Sequence, residues 1–159
     1  MQFWYLLISL VVILLDQGLK YFVVSNLQLG QTKEIISGII SLTYIQNNGA
    51  AWNILSGQMI FFYLISIVAV IVCLYFLFNK KYTNSIFDVG LALVLGGVIG
   101  NFIDRLHLKY VIDMIQFDFI HFNIFNIADS AITIGIILIF IYLLFFDETG
   151  NKNEKEIQS

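Results

Sequence analysis

Four stretches of this chain, Phe3 to Val24, Met59 to Phe78, Ile86 to Leu106 and Ile127 to Phe146, are each long and apolar enough to cross a hydrocarbon core, which takes roughly 20 helical residues. Inside lipid every backbone N–H and C=O must find a partner within its own segment or fold, so an uninterrupted apolar stretch of this length forms a helix. With 59% hydrophobic residues, 12% charged residues and a mean hydropathy of +0.87, the chain lies outside the usual range of soluble domains. It reads as an all-α polytopic membrane protein with four transmembrane helices, organised as a single domain over residues 1–159. The first stretch stands where a secretory signal would, but it has no basic n-region or small-residue cleavage pattern and carries Asp16 and Lys20 toward its end. It is expected to be retained. Proline is absent, so glycine and polar residues, not proline kinks, must open the helices.

Lys80 and Lys81 stand in the short connection between the second and third helices, and the positive-inside rule puts that connection in the cytoplasm. Four spans then place both termini there too, and Leu27 to Gln58 and His107 to Asn126 outside. Lys33 and Lys109 run against this assignment. Most of the unusual polar residues fall in or beside the outer segments, so function is expected at the outer leaflet. Ile35, Ile36, Ile39, Ile40, Leu42, Tyr44 and Ile45, interrupted by Ser37, Gly38 and Ser41, favour a small strand region. Its open edges require it to lie at the interface or against the helices. The polar tail from Asp147 to Ser159 reads as disordered.

The net charge of −3 and the absence of a basic stripe exclude a nucleic-acid surface. Cys73 lies in an apolar run and reads as a small buried hydrophobe. His107 and His121 lack metal-ligand spacing and read as interfacial residues. Asp118 is an exposed-loop acid without polar companions.

Against this background the remaining polar residues form clusters. Asp16 and Lys20 are spaced i, i+4 and can meet on one helix face; a membrane-edge ion pair with Lys20 snorkelling to the headgroups explains both. Asn47-Asn48-Gly49-Ala50-Ala51-Trp52-Asn53 reads either as a turn with an aromatic anchor or as a substrate site. Ala92, Gly96 and Gly100 recur every four residues and offer a smooth stripe for a neighbouring helix. Asn101, Asp104 and Arg105 follow on one face at the outer end, where they can form a structural network or position a substrate.

Asp113 lies in the outer segment before helix four, and Asn126 and Asp129 share a face at that helix's start. If the two carboxyls converge, repulsion and desolvation let the pair hold one proton between them near neutral pH. One member can then activate water while the other protonates the reactant. A solvated loop acid plus an N-terminal helix charge is the plain alternative. Intramembrane Asp, Asn and Arg also fit a small transporter or proton-coupled channel, and a structural adaptor is a third possibility.

Taken in order, Asp16-Gln-x-x-Lys20, Asn47-x-Gly49-Ala-Ala-Trp52, Gly100-Asn-x-x-Asp-Arg105, Val111-Ile-Asp113 and Phe125-Asn-x-Ala-Asp129 resemble the bacterial lipoprotein signal peptidases, or signal peptidase II, over nearly the whole chain. The resemblance implies a membrane aspartyl endopeptidase that cleaves diacylglyceryl-modified prolipoproteins just before the lipidated cysteine. It implies Asp113 and Asp129 as the catalytic dyad, with Asp16, Lys20, Asn47, Gly49, Asn101, Asp104, Arg105 and Asn126 binding substrate or supporting the site. No metal or organic cofactor is implied, and the partners are prolipoprotein substrates and membrane lipid, with a monomer in the bacterial inner membrane as the expected state. The strand region would correspond to the family's extracytoplasmic β-cradle, and the loop before helix four to its flexible extracytoplasmic helix. Trp52 stands where many members have Phe.

Overall fold

The structure, a computed structural model, describes residues 3–49, 55–79 and 84–146. The expectations for Ala50 to Asn53, for Lys80 and Lys81, and for the tail from Asp147 fall outside these residues. Helices α1 (Phe3–Asn26), α2 (Met59–Phe78), α3 (Ser85–Leu108) and α4 (Ile127–Phe145) all have the length and hydropathy of membrane spans. Strands β1 (Thr32–Ile36) and β2 (Ile40–Asn47) lie between α1 and α2, and β3 (Val111–Phe117) lies between α3 and α4.

The most buried span is α3, which packs on α1, α2 and α4. Its small residues explain why. A Cβ added at Gly96 would come within 2.8 Å of both Ser9 O and Val12 Cβ of α1, and one at Gly100 within 2.8 Å of Asp16 Oδ2. Between these helices the Ser9 hydroxyl donates to Ala92 O at 2.7 Å. The sequence-expected stripe is therefore the α1 contact. On the other side Gly90 faces Gly135 of α4, where an added Cβ would lie 2.8 Å from a backbone oxygen. Close backbone approach is how helices associate in lipid, where burial against lipid tails supplies no drive. Toward the other end of the bundle, Cys73, Leu77, Phe87, Leu91, Leu95 and Tyr142 form a conventional core.

The three strands form one antiparallel sheet in the order β1-β2-β3. A bulge between Leu42 and Ile45 shifts the β2–β3 register so that Ile45 pairs with Asp113 and Asn47 with Val111. The sheet rests on the end of α1 through Val23, Leu27, Tyr44, Ile112 and Met114. Lys109, at φ 68° in the left-handed region, caps α3 and turns the chain into β3. Asp113 is therefore on a strand and not on the loop expected from sequence. The expected extracytoplasmic helix before α4 is also absent from the described residues: after β3 the chain bends back, and Phe125 bridges to Ile115. That bridge sets Asn126, the first residue before α4, beside β3.

Candidate active site

Asn126 joins the two halves of the site. Its side chain accepts from Asp129 N at 2.8 Å and Asp129 Oδ2 accepts from Asn126 N at 3.3 Å, the reciprocal pair of a capping box at the start of α4. The Asn126 amide nitrogen then donates to Asp113 Oδ1 at 2.8 Å, to Ile112 O at 3.2 Å and to Asn101 Oδ1 at 3.1 Å. One fully buried asparagine thus holds both aspartates. Each carboxylate has a second amide donor: Asn47 Nδ2 to Asp113 Oδ2 at 3.0 Å, and Asn101 Nδ2 to Asp129 Oδ1 at 2.8 Å. The Gly49 N–H, donating to Asn47 Oδ1 at 2.9 Å, fixes the Asn47 amide.

Behind Asn101 lies an ionic cluster that binds α1 to α3. Lys20 Nζ contacts Asp16 Oδ2 at 2.7 Å and Asp104 Oδ2 at 2.8 Å, and donates to Asn101 Oδ1 at 3.1 Å. Asp16 Oδ1 accepts from Ala128 N at 2.9 Å in the first turn of α4, and Asp104 Oδ2 from Ile112 N at 3.1 Å on β3. Gln17 completes the cluster, donating to Asp104 Oδ1 at 2.9 Å and to Asp16 Oδ2 at 3.2 Å. Lys20 is 2% exposed and Asp16 0%, so Lys20 does not snorkel as the i, i+4 spacing alone implied. Such a cluster is tolerated away from water because every charge has an opposite partner and hydrogen bonds.

Arg105 departs from the rest of its sequence cluster. Asn101 and Asp104 turn into the buried network, whereas the Arg105 guanidinium lies 4.6 Å over the Phe62 ring and lines a cavity of about 1000 Å³. Asp113, Asp129, Asn101, Asn47 and Gly49 line the same cavity. Apolar walls from Ile65 and Ala69 of α2, Val98 of α3 and Ile132 of α4 continue it down between the spans. Ser130, next to Asp129, also lines it, as do Ser66 and Thr133; sequence reading missed the last two, although polar residues recurring within apolar spans are a usable signal. Phe62 offers no such signal, since nothing local distinguishes it from other aromatic residues of α2.

Burial pushes Asp113 from the ordinary 3.8 up to about 7, and the neighbouring Asp129 carboxylate adds to this. The Asn47 and Asn126 donors and the charge of Lys20 pull the other way. Two converging carboxyls, one of them poised near neutrality, can exchange a proton with a bound water and with a second reactant. The other polar candidates lie elsewhere. Asp118, at the far end of β3, accepts from the Ser41 hydroxyl at 2.7 Å and from Gln116 at 3.1 Å, so it has the companions that its sequence neighbourhood concealed. His107 is exposed, with Nδ1 2.9 Å from Ile103 O.

The family model described as signal peptidase (SPase) II matches residues 8–145. A lipoprotein signal peptidase of Lactobacillus johnsonii is 69% identical over 147 residues, covering 92% of this chain and 96% of that protein. One of Enterococcus faecalis is 53% identical over 152 residues, covering 95% and 93%. A bacterial membrane enzyme solved at 2.3 Å resolution superposes with a TM-score of 0.86 at 41% identity, covering 93% of this chain and 90% of its own. Because the matched segment contains the three strands, the capping box and the ionic cluster as well as nearly all of the four spans, this chain belongs to the signal peptidase II family.

Proposed function

We propose that this enzyme is an aspartyl endopeptidase of the bacterial inner membrane that removes the signal peptide from diacylglyceryl-modified prolipoproteins, cutting before the lipidated cysteine. The observation that carries the reading is the Asp113–Asn126–Asp129 bridge on the wall of a cavity continuous with apolar surfaces of the spans. One carboxylate takes a proton from a water whose oxygen attacks the scissile carbonyl carbon. The protonated partner donates to the carbonyl oxygen, giving a gem-diol. The C–N bond then breaks as the amine receives a proton and the diol returns one to the pair. Arg105, which lines the cavity, supplies donors for substrate carbonyls while Asn47 and Asn101 hold the two aspartates, and the low dielectric strengthens these bonds.

The diacylglyceryl group accounts for the greasy cavity. An acyl anchor confines the substrate to the leaflet that delivers its scissile bond, so much of the association entropy is lost before chemistry. In this reading the site lies near the outer leaflet, both termini are cytoplasmic, and the chain acts as a single-domain monomer. The test is incubation of the purified native protein in lipid with a diacylglyceryl-modified prolipoprotein and its unmodified form, with products identified by mass spectrometry. The expected result is a new N-terminus at the lipidated cysteine from the modified substrate alone. No cleavage by folded protein, or a cut at another bond, would overturn the reading.

A further inference from the structure

An ammonium group can only donate hydrogen bonds, and in this site that property propagates through two side-chain amides. Lys20 directs its Nζ at Asp16, Asp104 and Asn101. The Asn101 atom that faces it must therefore be the oxygen, which leaves the Asn101 nitrogen to donate to Asp129 Oδ1 at 2.8 Å. The same oxygen accepts from Asn126, so the Asn126 nitrogen is fixed as well, with Asp113 Oδ1 and Ile112 O as its other acceptors.

We propose that Lys20 is a positioning residue which, by clamping the Asn101 amide, keeps Asp129 as the ionised member of the pair and leaves the resting proton on Asp113. This deepens the peptidase reading and rests on it. Two features separate the carboxyls. Asp129 sits in the first turn of α4, inside a capping box where the helix dipole favours an anion, and its Asn101 donor is polarised by an ammonium. Among the described residues Asp113, on β3, accepts from the neutral amides of Asn47 and Asn126, and the Lys20 charge reaches it across space and not through a polarised donor. The charged groups around the pair are Lys20 and Asp16 from α1 and Asp104 and Arg105 from α3. Of these, Asp16 is a like charge that acts against an anion at Asp129, and Arg105 is an opposite charge that lines the cavity together with both aspartates. The position of Asp113 near neutrality agrees with its holding the proton at rest. In the reaction Asp129 then takes the proton from water and passes it to the departing amine. Asp113 protonates the carbonyl oxygen and recovers a proton when the gem-diol collapses, so the pair returns to its starting state.

The double variant Lys20→Met/Asp16→Asn removes one positive and one negative charge, which keeps the net charge of the cluster while releasing Asn101. Infrared spectra of the purified protein slightly below neutral pH read the protonated carboxyl directly. In the native background Asn47→Ala should shift that band, because the lost bond belongs to the carboxyl that carries the proton. In the double variant Asn47→Ala should leave it in place, and kcat should fall about tenfold or more while KM stays within about threefold. Should the double variant not fold, the isosteric Asn101→Asp, which keeps an oxygen toward Lys20 but offers Asp129 an acceptor, should abolish the Asn47 sensitivity in the same way. A native band indifferent to Asn47→Ala, or one that stays sensitive in the clamp variants, overturns the proposal. The infrared measurement needs no substrate, so failure of the folded native protein to cleave prolipoprotein would strike the peptidase reading separately.

Discussion

Asn47 donates to the Asp113 carboxylate, and a donor to the ionised form lowers a carboxyl's pKa. Removing it should therefore lift Asp113 further above about 7, and the alkaline limb of kcat/KM against pH should move upward in Asn47→Ala. A downward shift or none would show that this limb reports another group. Stability follows with its own sign. Asp113 is held above its ordinary value, so its contribution to folding is complete below about 3.8, is lost as pH rises through about 7, and should vanish from the pH dependence of thermal unfolding in Asp113→Asn. Lys20→Ala is a harsher change. It strands Asp16 and Asp104 as buried anions, and loss of one partner from such a cluster costs about 3–5 kcal/mol, readable as a lowered Tm in detergent. Little of this network was legible in the chain. The i, i+4 spacing announced the Asp16–Lys20 pair but not its burial, because the partners that bury it, Asn101 and Asp104, come from another helix. Gln17 stood beside Asp16 in the sequence, yet its bond to Asp104 is likewise a product of helix packing.

Among the elements, the spans were the easiest to read, since an apolar run of about 20 residues has one outcome in lipid. The observed α2 has the expected ends, α1 and α4 differ by one or two residues at the C-terminus, and α3 by one or two residues at each end. The strand region expected around Ile35 to Ile45 is the β1–β2 hairpin, Thr32–Ile36 and Ile40–Asn47, whereas β3 was hidden. The polar Asp113 in the middle of Val111–Phe117 masks a strand whose other residues are mostly β-favouring, with both Ile112 and Met114 packed under the sheet. The α1–α3 seam makes a sharp prediction. Gly96→Ala would put a methyl 2.8 Å from Ser9 O, forcing the helices apart at a cost of about 1–3 kcal/mol and lowering cleavage by disturbing the ionic cluster. Gly18→Ala, on α1 with nothing within 4 Å of the added Cβ, should keep activity and gain up to about 1 kcal/mol of helix propensity. Thermal unfolding and cleavage measured side by side check both, and equal effects at the two sites would contradict the packing account.

The molecule as a whole brings together residues from α1, β2, α3, β3 and α4 at one end of a bundle, where a polar site meets surfaces suited to lipid. The proposed orientation puts that end outside the cell. In a Cys73→Ser background, Lys33→Cys should react with a membrane-impermeant thiol reagent on intact cells, and Ser85→Cys only after lysis; the reverse pattern would invert the topology. In the proposed mechanism two aspartates share the chemistry. Its most direct test is cleavage of a diacylglyceryl-modified prolipoprotein by Asp113→Asn and Asp129→Asn, each verified as folded and embedded in lipid. Both should lose cleavage by at least about 100-fold, the scale of a positioned acid or base. Near-native turnover in either folded variant would contradict a shared dyad.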